Sequence, residues 1–231
     1  MKNVLVVLNL LFISTAVCSQ EITSKVIDSL YKEDQFYIGT TYNVLENRPS
    51  GLTQNSFSLG FHLGYIKDMP INKRRNKAIG VGLGYSTNSY IQNMLIQRDN
   101  SGNFNYSIID NEAVSFTKNK FSEHVIELPI EYRWRTSTVT SYKFWRIYTG
   151  VKFGYVFANR SKFEGSLGEL KYNNIEDYNT LQYGLTLSVG YNTWNVFMYY
   201  GLNPIFSDTA QINGENLDLN AVKVGLMFYI L

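Results

Sequence analysis

The chain of 231 residues has little cysteine, little proline and little charge, and each shortage closes off a class of protein. A single cysteine, Cys18, leaves no disulfide framework and no paired-thiol metal or redox site to write down. Only four prolines are present, so long stretches can run as uninterrupted strands. Charged residues make up 17% of the chain and the formal net charge is +2, which gives no basic footprint for nucleic acid. Beyond residue 19 no stretch approaches the roughly 20 apolar residues of a membrane helix. Mean hydropathy is slightly negative, as it is when each strand of a transmembrane barrel carries one lipid face and one polar face.

What the sequence does have is aromatic residues, 18 tyrosines and 14 phenylalanines, arranged at a period of two. The last stretch shows it plainly. Val222, Val224, Leu226, Phe228 and Ile230 alternate with a mixed set that begins Lys223 and Gly225. A helix would scatter both sets, whereas a strand places each on its own face. An apolar outer face meets lipid only if the strand's backbone bonds close on a neighbour, because lipid cannot satisfy an open edge. The spacing Lys223, Gly225, Phe228 and Ile230 resembles the carboxy-terminal insertion signal of bacterial outer-membrane barrels. A buried strand of a soluble sandwich is the alternative for this segment taken alone.

At the other end, Lys2, an apolar run over 4–13 and small or polar residues to Ser19 have the three parts of a secretory signal peptide. The expected division is a signal peptide over 1–19, a periplasmic lead-in over 20–34 and a barrel over 35–231. Lipid anchoring through Cys18 is the competing expectation, although Thr15, Ala16 and Val17 are a poor match to what precedes a lipidated cysteine.

Seven further alternating stretches precede the last strand, at about 35–44, 56–66, 78–87, 124–136, 144–157, 181–191 and 194–203. Polar stretches at 46–55, 67–77, 88–123, 158–180 and 207–220 are expected as loops and turns. The section 88–123 is expected to extend two strands past the membrane as a hairpin, with its turn at 99–103. The sum is an all-β protein, an eight-stranded antiparallel up-and-down transmembrane β-barrel with long loops at one end and both termini in the periplasm. Trp134, Trp145 and Trp194 would form an aromatic girdle at the periplasmic interface.

Inward phase falls to Glu127, Glu131, Arg133, Arg135, Arg146, Lys152 and Lys223, a polar network in a lumen just wide enough for side chains. Pairing Glu127 with Lys152 would set Glu131 opposite Tyr148, Arg133 opposite Arg146, and Glu131 diagonal to Arg146. Such charges must be paired or hydrated. His62 shares that inward phase beside glycines, where a hydrogen-bonded interior role outweighs one as ligand or base. Ser122 and His124 share the outward phase of Ile126, and small barrels that modify lipid use such a pair with an orienting carboxylate. Glu123 is adjacent but belongs to the other face. The expectation is therefore a protein without catalytic, cofactor or metal residues. Its partners would be outer-membrane lipid and the barrel-assembly machinery.

The segments 128–137 (LPIEYRWRTS), 142–150 (YKFWRIYTG), 200–204 (YGLNP) and 225–231 (GLMFYIL) resemble the PorT-like family, small outer-membrane barrels of Bacteroidota. That resemblance implies a role as an accessory of type IX protein secretion, in some relatives with gliding motility, and other secretion-system components as further partners. A surface-binding or envelope-structural barrel is the alternative, and an outer-leaflet lipid enzyme a third.

Overall fold

The computed structural model describes residues 34–54, 56–109, 113–136 and 144–230. The expected signal peptide, Cys18 and the lead-in up to residue 33 lie outside the described residues. The strands are β1 (Gln35–Glu46), β2 (Leu59–Pro70), β3 (Lys77–Ile91), β4 (Met94–Arg98), β5 (Phe104–Ile108), β6 (Phe116–Arg135) and β7 (Trp145–Gly165). They continue as β8 (Gly168–Asn173), β9 (Leu181–Tyr191), β10 (Trp194–Gly201), β11 (Gln211–Ile212), β12 (Glu215–Asn216) and β13 (Asn220–Ile230).

Eight of these close a ring in the order β6, β3, β2, β1, β13, β10, β9, β7, with β7 returning to β6. Every pairing is antiparallel, and the last strand meets the first from Phe36 opposite Ile230 to Glu46 opposite Asn220. The alternation in the sequence has its cause here. Phe36, Ile38, Leu63, Leu83, Leu128, Ile147, Leu185 and Val196 are exposed on the outer wall, while their neighbours Gln35, Tyr37, His62, Glu127, Arg146, Thr186 and Asn195 are buried inside. The described residues otherwise form β4–β5 and β11–β12 hairpins and β8, all at the end away from the termini. That end is the crown.

Two belts of rings bound the apolar wall. Near the termini Trp145 packs on Tyr191, Trp194 on Phe228 and Phe36 on Tyr65, with centroids 4.7–5.4 Å apart. Toward the crown Tyr85, His124 and Phe157 form a second group. From Trp134 to His124 the outward residues of β6 run over ten positions. That is about 33 Å of strand, or about 25 Å of height at the usual tilt, the height of the apolar band of an outer-membrane barrel.

Three features differ from the sequence expectation. β2 runs to Pro70, not Ile66, so part of the stretch 67–77 belongs to the wall and Asp68 turns inward. β6 reaches back to Phe116 as the expected extension of 88–123 past the membrane, whereas β7 extends to Gly165, so the start of the stretch 158–180 is strand and not loop. The reason is a bulge: Val125 pairs with Val156 and His124 with Ala158, leaving Phe157 as an extra residue. The inward phase of β7 passes from Val156 to Ser161 and Phe163, and an alternation counted from Trp145 is lost there.

The third difference is register. Glu127 lies opposite Gly154, Glu131 opposite Gly150, Arg133 opposite Tyr148 and Arg135 opposite Arg146, two residues from the expected pairing. Glu127 and Glu131 thus face glycines across the strands, which leaves them room in a narrow lumen. Between β2 and β3 the close approach is explicit: a Cβ on Gly64 of β2 would lie 2.6 Å from the Tyr37 ring, and its β3 partner Gly84 is equally constrained.

Candidate functional site

The barrel interior is layered. At the terminal end Asp68, fully buried, sits between two arginines. Arg135 donates from Nη1 to Asp68 Oδ1 at 3.0 Å and from Nη2 to Oδ2 at 2.8 Å, and Arg133 donates from Nη1 to Oδ1 at 3.0 Å. Arg133 also donates to the Gln35 amide oxygen and stacks 4.1 Å over Tyr148, while Arg135 donates to the carbonyl of Arg75. Glu131 lies 3.6 Å from Arg133 Nε. Arg146, expected diagonal to Glu131, instead lies over the rings of Phe144 and Tyr229 at 4.5 and 5.9 Å.

The middle layer is an ion pair of Lys152 Nζ with Glu127 Oε2 at 2.8 Å, joined by His62 Nδ1 at 3.3 Å from the other carboxylate oxygen. The contact expected between Glu127 and Lys152 is present, as a diagonal across the strands. His62 Nε2 lies 3.1 Å from Thr41 Oγ1, which donates to Asn43. In the top layer Glu123 accepts from Gln182 at 2.9 Å and Asn88 at 3.2 Å, and Lys223 approaches it at 3.5 Å.

All seven inward charges named from the sequence are thus inside the ring and at most 5% exposed. Sequence reasoning missed Asp68 and Gln35, and it placed Glu123 on the inward face without giving it a partner there. Asp68 was within reach, since counting by two from the inward Ile66 arrives at it. Of the remaining insertion-signal residues, Gly225 faces inward opposite Thr41, whereas Phe228 and Ile230 face outward beside Trp194 and Phe36.

Above this polar interior the crown encloses an apolar one. Leu45, Leu52, Tyr90, Met94, Ile96, Tyr106, Phe121, Ile175, Tyr178, Ile205, Phe206, Ile212, Leu217 and Leu219 are buried together. Phe206 is its hub, with rings of Tyr178, Phe121 and Tyr106 at 4.8, 5.4 and 5.5 Å. The loops are laced over it. Asn179 Nδ2 donates to the carbonyls of Pro204 and Phe206, and Asp177 accepts from Tyr106 Oη at 2.8 Å and Thr209 Oγ1 at 2.5 Å. Burial and that bond push the Tyr106 hydroxyl up from its usual pKa. At the tip of the β4–β5 hairpin Asp99 accepts from the amides of Ser101 and Asn103 at 2.8 and 2.9 Å, which holds its carboxyl below the usual range. Clefts open on the crown among the described residues. One of about 300 Å³ is lined by Thr53, Ile91, Phe116 and Lys120 among others, and one of about 190 Å³ by Phe157, Asn174 and Glu176 among others.

Ser122 and His124 both face outward, as their phase requires. His124 Nδ1 is bonded to Tyr85 Oη at 2.7 Å, and the Glu123 carboxylate is turned into the lumen. No group of three or more histidine, cysteine or acidic residues that could hold a metal occurs among the described residues.

A closed antiparallel ring with an apolar belt between aromatic girdles is the form of a bacterial outer-membrane protein, and the family described as "Outer membrane protein beta-barrel domain" matches residues 19–207. The chain belongs to that family. Like other outer-membrane β-barrel domain proteins, it resides in the outer membrane. It is also similar to two structures of Ail, the attachment invasion locus protein of Yersinia pestis. The first shares 10% identity and a TM-score of 0.36, covering 87% of this chain and 99% of that one. The second, Ail in complex with the heparin analogue sucrose octasulfate, shares 13% identity and a TM-score of 0.37 over the same fractions. No curated protein matches the chain.

Proposed function

We propose that this outer-membrane barrel is non-enzymatic, has both termini in the periplasm and its crown at the cell surface, and serves as an accessory of type IX protein export. The observation that carries the accessory part is the filled interior. A water-filled conduit would leave its lining exposed, whereas Tyr37, Arg133, Tyr148, Lys152, Phe197 and Tyr229 are all at most 5% exposed. A barrel of this kind acts through its rims and crown, as a docking partner and not as a pore. The export part is supported by the likeness of segments 128–137, 142–150, 200–204 and 225–231 to PorT-like barrels. The engagement of His124 with Tyr85, away from any carboxylate, supports the non-enzymatic part. The partners on this reading are outer-membrane lipid, the barrel-assembly machinery and other secretion components.

The second reading, a surface-binding or envelope-structural barrel with no export role, is favoured by the crown. Its shared apolar core and laced loops give one fixed shape to present.

A clean deletion tests the choice, with proteins in the culture medium and colony spreading compared with the parent and other outer-membrane proteins checked for normal levels. Loss of secreted proteins, restored by the intact gene, supports export. An unchanged secretome removes that role and leaves the surface reading.

A further inference from the structure

Just above the crown-side aromatic belt the outer face of the wall changes character. One row across β3, β6 and β7 is Ser89, Ser122 and Arg160, and the next across β3, β6, β7 and β8 is Ile91, Lys120, Lys162 and Lys171. The strand geometry puts these rows about 5 and 10 Å above His124, the first within the lipid headgroup layer and the second just beyond it, within reach of a lysine side chain, when the belt marks the edge of the hydrocarbon. Five cations lie on this face, Lys118, Lys120, Arg160, Lys162 and Lys171, against Glu164 and Glu169. Those two carboxylates are engaged by Lys118, Lys162 and Lys171. Lys120 and Arg160 have no ion-pair partner among the described residues, and the nearby Glu176 lines the neighbouring cleft without pairing with Arg160. Ser89 Oγ, opposite Ser122, is buried with no hydrogen-bond partner. A guanidinium, an ammonium and two hydroxyls beside one another suit a phosphate, which takes paired donors from arginine and further donors from hydroxyls.

We propose that this face binds the anionic phosphomonoester headgroup of a membrane lipid in the leaflet at the crown end, with Arg160 and Lys120 as the main donors and Ser89 and Ser122 as accessory ones. A lipid is the occupant because the face continues without a break from the lipid-contacting belt of Tyr85, His124 and Phe157. In the orientation proposed above this is the outer leaflet. Only the naming of the leaflet rests on that orientation.

The test uses the folded protein in phosphatidylcholine vesicles with and without phosphatidic acid, and reads the thermal unfolding midpoint. Phosphatidic acid is expected to raise the midpoint of the parent by about 4–8 °C, from two basic side chains at an anionic surface. Lys120→Gln/Arg160→Gln is expected to lose most of the rise, and Arg160→Gln alone about half. Both residues lie on the outer surface, so midpoints in plain phosphatidylcholine should match the parent. Lys73→Gln/Arg74→Gln, at the opposite rim, should keep the rise. Retention of the full rise by the Lys120/Arg160 variant, or equal loss from the Lys73/Arg74 variant, overturns the site. An equal rise from inorganic phosphate added to plain vesicles overturns the lipid as its source.

Discussion

The interior of the ring and the interior of the crown are built on opposite chemistry, although the same strands run through both. Along β6 the inward residues from the terminal end are Arg135, Arg133, Glu131, Pro129 and Glu127, and the outward ones Trp134, Tyr132, Ile130, Leu128 and Ile126. Past His124 the outer face turns polar with Ser122, Lys120 and Lys118, while inside, between the buried Glu123 and Asn119, Phe121 enters the apolar core of the crown. What changes along the strand is the solvent. Where lipid surrounds the wall, apolar side chains are placed outside, and the lumen keeps its shape through ion pairs and hydrogen bonds. Where water surrounds it, the hydrophobic effect gathers Phe121, Tyr178 and Phe206 into an ordinary core.

The comparison can be broken at either end. Asp68→Ala should have the largest effect, since it leaves the Arg133 and Arg135 guanidinium groups without their shared carboxylate, a loss of about 3–5 kcal/mol. It should lower the urea midpoint of the whole barrel. An unchanged midpoint would mean that the terminal-end layer does not hold the ring. Phe206→Ala should cost a similar local amount, about 3–5 kcal/mol, but only in the crown. Limited proteolysis should then cut the loops around 176–180 and 203–219 while the barrel keeps its heat-modifiable gel mobility. Simultaneous loss of both would show that the two interiors fold as one unit.

Ile130→Arg tests the outer wall near mid-height, where a basic residue in lipid costs about 2–4 kcal/mol. The fraction that folds into vesicles should fall, and normal yield would count against the assigned facing. Leu226→Arg, nearer the terminal belt, should follow with a smaller loss. The smallest effect belongs to Asp99. Its folded carboxyl has a pKa below the unfolded value, because the Asn103 and Ser101 amides stabilise the anion. Its contribution is therefore present above the unfolded value and is lost as pH falls through the lowered one. A carboxyl carbon-13 titration should place Asp99 below an ordinary aspartate, and a midpoint at or above the ordinary value would remove the turn's role.

The wall was legible because period two survives wherever lipid enforces it: Phe57 to Tyr65 and Leu181 to Tyr191 can be assigned faces by counting. Counting failed at Phe157, where one extra residue shifts the phase, and at Asp68, where a polar pair inside a strand looked like the start of a turn. The crown core was not legible at all. Its residues come singly from stretches that are polar on average, such as Ile212, Leu217 and Leu219 between 207 and 220, and no periodicity links them.

The sequence by itself determined that the chain is a ring of alternating strands, which residues face lipid and that most of the charges in the strands lie inside, because facing depends on local alternation that one strand carries alone. Only the tertiary structure decided which charge meets which. Register across β6 and β7, the burial of Asp68 between two arginines and the assembly of Phe206 with Phe121 and Tyr178 all depend on residues distant in the chain. Their contacts are chosen by ring closure and side-chain volume together.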